Sequence, residues 1–191
     1  MRRGLGVFGG VAVVCALTAC GYRHIDGPVV HGYASLSEVN TDSTEVVVGT
    51  PVKAAIGGAA DEAGNSDLRA YLTTVKIDRV LRGPLGPGTE IILRQIAGPN
   101  EPTPAGYQLT DGAEYVFFLQ PFTFGSGTAP TGQYVVTGGQ GVYELSGSSV
   151  TVTTESASLA EGTETSLPPS VSLGQLINVA AATPSSTAGE N

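Results

Sequence analysis

The spacing of apolar and polar residues after position 44 predicts a chain built mainly of β-strands. From 71 to 81, Val75 and Ile77 alternate with Lys76 and Asp78, a period of two that buries one face of a strand. The run 114–119 is apolar on both faces, which predicts a central strand covered on both sides. Similar patterns place the predicted strands at 45–56, 71–81, 89–96, 114–119, 134–136, 142–145 and 149–154.

Glycine and proline separate these strands and predict the turns between them. Segment 83–88 is a dense Gly-Pro turn signal, and 98–112 is a longer loop that carries three prolines. The run Gly138, Gly139, Gln140 and Gly141 predicts a tight bend or bulge, because the residues after it alternate as a strand does. The alternative is that the exposed backbone of these four residues binds a ligand.

Two short helices are predicted at the ends of the strand-rich region. Segment 35–39 indicates one or two capped turns, and Ser172 is a suitable N-cap for a helix over 172–179. About six short strands with these helices predict a mainly β fold, namely a small antiparallel barrel or a sandwich. We prefer the barrel, because the order of the first five strands and the later glycine kinks resemble an OB-like or netrin-module-like barrel.

The N-terminal segment predicts export and attachment to a membrane. Arg2 and Arg3 precede an uncharged run at 5–16, which has the length of a signal-peptide core and is too short to span a bilayer. The following Leu-Thr-Ala-Cys-Gly at 17–21 resembles the lipobox of bacterial lipoproteins. The alternatives are an ordinary secretory signal that contains a cysteine, an uncut anchor, or a twin-arginine signal.

The lipobox resemblance implies that the chain is cut before Cys20 and that fatty acyl chains such as palmitate are attached to this cysteine. It divides the sequence into a signal peptide at 1–19, a tether at 20–35, a β-barrel domain at 36–181 and a disordered tail at 182–191. The expected location is the extracytoplasmic face of the bacterial cell membrane. Since Cys15 would leave with the signal peptide and Cys20 would carry lipid, no disulfide is expected.

The charge balance argues against nucleic acid as a partner. The whole chain has nine basic and seventeen acidic residues, and loss of Arg2 and Arg3 would leave seven basic residues and a formal charge of -10. Such a surface repels both phosphate backbones and anionic lipid headgroups. The lipid on Cys20, rather than surface charge, is therefore the predicted contact with the membrane.

Over residues 35–153 the sequence also resembles a group of bacterial exported proteins with no assigned activity. The resemblance rests on five segments, at 46–50, 75–83, 92–95, 115–119 and 138–143, with the Ser35-Leu36 pair ahead of them. It implies the barrel fold and supplies no activity, because the group has no assigned chemistry. The segment 138–141 resembles the most distinctive motif of the group, which is the basis for the alternative binding role of its backbone.

Residues capable of chemistry are scarce. His24 and His31, the only histidines, both lie in the predicted tether, and no serine stands in a nucleophile motif. Four oxygen-bearing residues gather in one loop and are weak candidates for a calcium site, although their spacing differs from an EF-hand: Asp61, Glu62, Asn65 and Asp67. No cofactor is expected.

A polar pair and a set of aromatic residues have structural explanations. Arg94 and Gln95 interrupt an apolar strand, and an edge or rim position accounts for them. Five aromatic residues near loops are expected mostly in the core, with an aromatic contact patch as the alternative: Tyr107, Phe122, Phe124, Tyr134 and Tyr143.

These features together predict a non-enzymatic, lipid-anchored module of the cell envelope that binds or inhibits a protein partner. Two alternatives stay open. A small-ligand or lipid carrier requires an apolar cavity inside the barrel, which a barrel of this size tends to fill with its own side chains. An envelope enzyme would use carboxylates such as Asp111 or Glu114.

Overall fold

The computed structural model describes residues 33–62, 64, 67–98, 103–104, 106–125, 127–139, 141–146, 149–152, 167–168 and 170–182. These residues form eight strands, two helices and a short 3-10 turn at Thr137–Gly139. The helices are α1 (Leu36–Asp42) and α2 (Leu173–Ala181). The strands are β1 (Glu45–Ala59), β2 (Arg69–Arg82), β3 (Glu90–Ala97), β4 (Tyr115–Pro121), β5 (Gln133–Val136), β6 (Val142–Ser146), β7 (Ser149–Val152) and β8 (Ser170–Ser172).

Five of the strands close into a ring. The order is β1-β2-β3-β5-β4, and β4 pairs back onto β1, while β6, β7 and β8 continue the sheet from β4. The predicted mainly β, barrel-like fold with two short helices is therefore confirmed. One detail differs, because β3 and β5 run parallel, with Ile92 opposite Gln133. A closed ring with an odd number of strands cannot alternate direction all the way round, so one pair has to be parallel.

The predicted central strand, β4, is confirmed as the strand with the most neighbours. It pairs with β1 along one edge and with both β5 and β6 along the other. Phe117 belongs to the cluster inside the ring, and Phe118 belongs to a second cluster under the helices. Both side chains are fully buried, which explains why the strand is apolar on both faces.

The two helices cover the outer face of the ring next to β1 and β4. Val39 of α1 and Leu176 of α2 are fully buried there. Ser172 caps α2, as the sequence indicates, and it forms a capping box with Gln175. Asn40 joins the helices, because its side-chain amide donates to the Val179 carbonyl at 2.8 Å. The two helices therefore cover the outer cluster together.

The glycine-rich segment before β6 forms the predicted tight bend. Gly138 has φ of 60°, which favours glycine, and Gly139 ends the 3-10 turn. Gly141 is buried, and its carbonyl accepts a hydrogen bond from the Phe118 amide at 2.8 Å. Gln140 lies outside the described residues. The bend therefore brings the chain close to β4, and the binding role for these four residues stays a prediction.

Gly141→Ala is expected to destabilise the fold by about 2 kcal/mol, the usual cost of forcing an extra methyl into a packed site. A Cβ at this position would lie 2.8 Å from the Cβ of Phe118 and 3.2 Å from its carbonyl oxygen. Urea unfolding of the two proteins measures the difference. Gly125→Ala is the control, since nothing lies within 4 Å of its added Cβ. Equal stability of both variants would contradict the close approach.

Candidate functional site

The most distinctive functional feature is a long strand edge that the ring leaves open. β1 follows β2 as far as Ala59, but it pairs with β4 only from Glu45 to Gly49. The Gly112 amide then donates to the Pro51 carbonyl at 3.1 Å. Beyond that bond, no strand among the described residues pairs with the outer edge of β1 over residues 52–59.

This open edge is mostly apolar. Val52 is 46% exposed and Ile56 is 48% exposed, which makes them the two most exposed large apolar residues of the described chain. A register shift between Pro51 and Lys53, together with the charge of Lys53, protects its beginning, and near its other end the Arg69 guanidinium donates to the Gly57 carbonyl at 2.9 Å. Residues 54–59 carry no charged side chain. An edge of this composition is a template for pairing with another strand.

A polar cleft of about 310 Å³ lies beside the edge. Its floor is the inner face of β2 and β3, where Tyr71 is paired with Gln95. The loop before β4 forms the opposite wall and contributes Asp111. Ala54 of β1 completes the lining, so the cleft reaches the open edge. The full lining is Ala54, Tyr71, Thr73, Gln95, Thr103, Pro104, Gln108, Leu109, Thr110 and Asp111.

Two hydrogen bonds hold the loop wall against the sheet. The Gln95 side-chain amide donates to the Tyr107 carbonyl at 2.8 Å, in a buried position. The Thr110 amide donates to the Tyr115 hydroxyl at 2.9 Å. Each bond therefore joins the described part of this loop to a strand of the ring.

Arg94 connects two loops on the other face of β3. Its guanidinium donates to the Gln133 side-chain oxygen at 3.0 Å and to the Ala60 carbonyl at 2.8 Å. The guanidinium carbon lies 4.5 Å from the ring centroid of Phe122 and 5.3 Å from that of Phe124. Burial lowers the pKa of Arg94, but a guanidinium stays protonated at any ordinary pH.

Arg94 and Gln95 lie beyond the pairing of β3 with β5, which covers only Ile92 and Leu93, so the predicted edge position agrees with the strand pairing. The two side chains are nevertheless only 7% and 8% exposed. They are tolerated there because each has hydrogen-bond partners. The sequence signal for this arrangement is that two polar residues stand next to each other in an apolar strand. Their side chains point to opposite faces, so each face has to provide hydrogen-bond partners.

The five aromatic residues do not form one patch. Tyr107 and Tyr143 are buried, and Tyr134 is half-buried against the cluster inside the ring. Only Phe122 and Phe124 contact each other at the surface, with centroids 5.0 Å apart. Phe124 is 39% exposed. These two rings pack against Arg94, whereas the three tyrosines lie in or against the core. Most of the set therefore belongs to the core, as expected.

A buried carboxylate lies where α1 leads into β1. Glu45 is 4% exposed, and its carboxylate accepts a hydrogen bond from the Leu85 amide at 3.4 Å. Desolvation raises the pKa of Glu45, although the Leu85 amide and the Arg82 charge oppose this. Arg82 in turn donates to the Ser43 carbonyl. Burial raises the pKa of Tyr134, and the nearby charge of Glu45 raises it further.

Glu45→Gln is expected to change how stability depends on pH. Because the folded pKa lies above the unfolded one, the folded chain binds more protons between the two values. Glu45 therefore favours folding at acid pH, and this contribution is lost as pH rises from about 4.5 through the folded pKa. The Gln variant should gain stability relative to the native chain over that range.

Urea unfolding at a series of pH values measures this difference. The exposed carboxylate Glu114 supplies the control, Glu114→Gln, whose stability should follow that of the native chain. A constant difference between Glu45→Gln and the native chain at all pH values would contradict the raised pKa.

The acidic loop lies at the tip of the β1–β2 hairpin. Asp61 is half-buried, while Glu62 and Asp67 are exposed, and Asn65 lies outside the described residues. Within the described ranges, no three His, Cys, Asp or Glu side chains gather where they could hold a metal ion. Calcium binding by this loop stays a prediction.

Most of the predicted anchor, tether and tail lies outside the described part of the chain, including Cys20, His24, His31 and every residue from 183 onward. The last tether residues are described, and Tyr33 among them is only 4% exposed. Neither described helix is long and apolar enough to cross a membrane.

Comparison with known proteins does not identify a family for this chain. No protein-family model matches the chain, and no curated protein is significantly similar to it. The fold therefore rests on the strand pairing itself, and the function has to be inferred from the residues at the open edge and the cleft.

Proposed function

We propose that this protein is a lipid-anchored, non-enzymatic binding module on the extracytoplasmic face of the membrane, which captures an extended segment of another envelope protein. The binding site is the open edge of β1, over residues 52–59. The observation that carries the proposal is the absence of a strand partner at this edge among the described residues, combined with its apolar, nearly uncharged composition. Strand addition is a recurring mode of peptide recognition.

The exposed side chains of the edge support the same function. Val52 and Ile56 present apolar surface to solvent on a part of β1 that no described strand pairs with along its outer edge. A partner strand would cover this surface, at roughly 25 cal/mol for each Å² removed from water, while its backbone pairs with β1. The burial of apolar surface and the backbone hydrogen bonds would therefore both favour an added strand at this edge.

The packing inside the ring favours a surface site over a carrier. Leu93, Phe117 and Leu119 are fully buried in the inner cluster, together with Tyr115. Side chains of this size occupy the space that a lipid or another small ligand would need. The open edge and its cleft are accessible without any rearrangement of that cluster.

The lipid on Cys20 would hold the edge near its partner. Tethering to one surface raises the effective concentration of two components without any new contact. Cys20→Ala is expected to move the protein from the membrane fraction to the soluble fraction and to abolish labelling by a palmitate analogue. Unchanged membrane association of the variant, or an unlabelled native protein, would contradict the anchor.

In-cell crosslinking of the full chain, followed by mass spectrometry, tests capture at the edge. The native protein should crosslink reproducibly to one envelope protein through residues 52–59. The double variant Val52→Lys/Ile56→Lys should lose this crosslink, because charge on an edge opposes pairing. Ile177→Lys is the matched control, since Ile177 is an exposed apolar residue on α2. Equal capture by both variants would overturn the proposal.

A further inference from the structure

We infer that the segment captured at the open edge presents a basic side chain to the cleft, where Asp111 binds it. This inference rests on the proposed function, because it specifies the occupant of the same edge. It follows from three features of the described residues: the register of β1, the polar lining of the cleft, and the position of Lys53.

The register of β1 directs one side chain of an added strand into the cleft. Ala54 lies opposite Thr73, and both residues line the cleft. In an antiparallel pair, directly opposite residues have Cβ atoms about 4.5–5.5 Å apart on the same face. The residue opposite Ala54 in an added strand would therefore point toward the cleft, and the small alanine leaves room for a long side chain.

The lining of the cleft selects the chemistry of that side chain. It offers hydroxyl, amide and carboxylate groups, and none of the lining residues is Lys or Arg. Asp111 is the one charged group among them, so a carboxylate guest would meet repulsion and no counter-charge. An apolar guest would cover polar groups without bonding to them.

A lysine or arginine side chain satisfies each of these constraints. Its hydrocarbon stem would pass Ala54 and the ring of Tyr71, and its cationic end would reach Asp111. The tyrosine face can also attract the cation. The net charge of the whole chain, -8, also favours the approach of a basic segment.

The opposite face of β1 imposes the reverse preference. Lys53 precedes Ala54, so its side chain points to the other face of the strand, where it is exposed. A basic residue of the partner beside Lys53 would be repelled. The occupant is therefore an extended segment with a basic residue on its cleft face and non-basic residues on its other face.

A titration of the isotope-labelled full chain in detergent with three synthetic peptides tests the inference by NMR. The peptides are acetyl-Thr-Val-Thr-Lys-Thr-Val-Thr-amide and its versions with Glu or Met at the centre. The backbone amide signals of residues 52–59 report binding to the edge. The Lys peptide is expected to bind about fivefold more tightly than the Glu peptide, as an accessible ion pair allows. Asp111→Asn should remove this preference, while Glu114→Gln, which alters a carboxylate outside the cleft lining, should keep it.

The other outcomes separate the two proposals. If no peptide shifts the edge signals, strand capture itself fails, and the basic preference fails with it. If the peptides bind the edge without a preference for Lys, or if the preference survives Asp111→Asn, only the inference is overturned. Edge signals that shift with protein concentration alone would show that a second copy occupies the edge, which overturns both.

Discussion

Arg94→Ala is expected to lower the free energy of unfolding by about 3 kcal/mol, because it removes a charged and buried hydrogen-bond donor. The change removes the bonds to Gln133 and to the Ala60 carbonyl, and it leaves the rings of Phe122 and Phe124 without the cation between the loops. The lost cation–π contacts add to the lost hydrogen bonds. Urea unfolding followed by circular dichroism measures the change.

Two further variants separate the role of the guanidinium from that of charge. Arg94→Lys should recover less than half of the loss, because an ammonium group cannot reach both acceptors and stack on a ring at once. Arg79→Ala removes an exposed arginine of β2 and should stay within about 0.5 kcal/mol of the native chain. Full recovery by Arg94→Lys would show that charge alone is needed.

Gly83→Ala is expected to destabilise the fold by about 3 kcal/mol, through two independent effects. Gly83 has φ of +105°, which an L side chain rarely adopts. An added Cβ would also overlap a carboxylate oxygen of Glu45. The buried carboxylate would have to move and give up the bond from the Leu85 amide.

The same turn provides the matched control. Gly88 has φ of +81°, but nothing lies within 4 Å of its added Cβ, so Gly88→Ala reports the backbone effect alone, about 1 kcal/mol. Adding Glu45→Ala to Gly83→Ala should relieve the crowding, so the two changes together should cost less than the sum of their separate costs. Additive costs would contradict the contact between Gly83 and Glu45.

The local elements of this fold can be predicted from the sequence because their signals are local. Period-two alternation locates β2, apolar residues on both faces identify β4 as central, and the N-cap residue Ser172 marks the start of α2. The strand β8 has only three residues, too few for any periodic pattern, and the sequence indicates a loop up to residue 170 there.

The environment of Arg94 and Gln95 could not be predicted, because it depends on contacts between distant parts of the chain. Arg94 is compatible with its buried position only because the loop after β4 supplies Phe122 and β5 supplies Gln133. The parallel pairing of β3 with β5 likewise follows from closure of the ring rather than from either strand.

The open edge depends on a difference in length between two strands. β1 extends to Ala59, whereas its pairing with β4 ends at Gly49 opposite Tyr115. The sequence carries part of this signal, since the predicted strand at 45–56 is about twice as long as the one at 114–119. Which strands are neighbours has to be known before that mismatch identifies an edge.

Hydrogen exchange of the backbone amides in β1 tests strand capture most directly. In the purified full chain at low concentration, the outward-facing amides of residues 52–59 should exchange rapidly, because no strand covers them. In native membranes the same amides should be protected by the partner strand, and Val52→Lys/Ile56→Lys should restore rapid exchange. Protection in the purified dilute chain, or equally rapid exchange in native membranes, would contradict a partner strand at this edge.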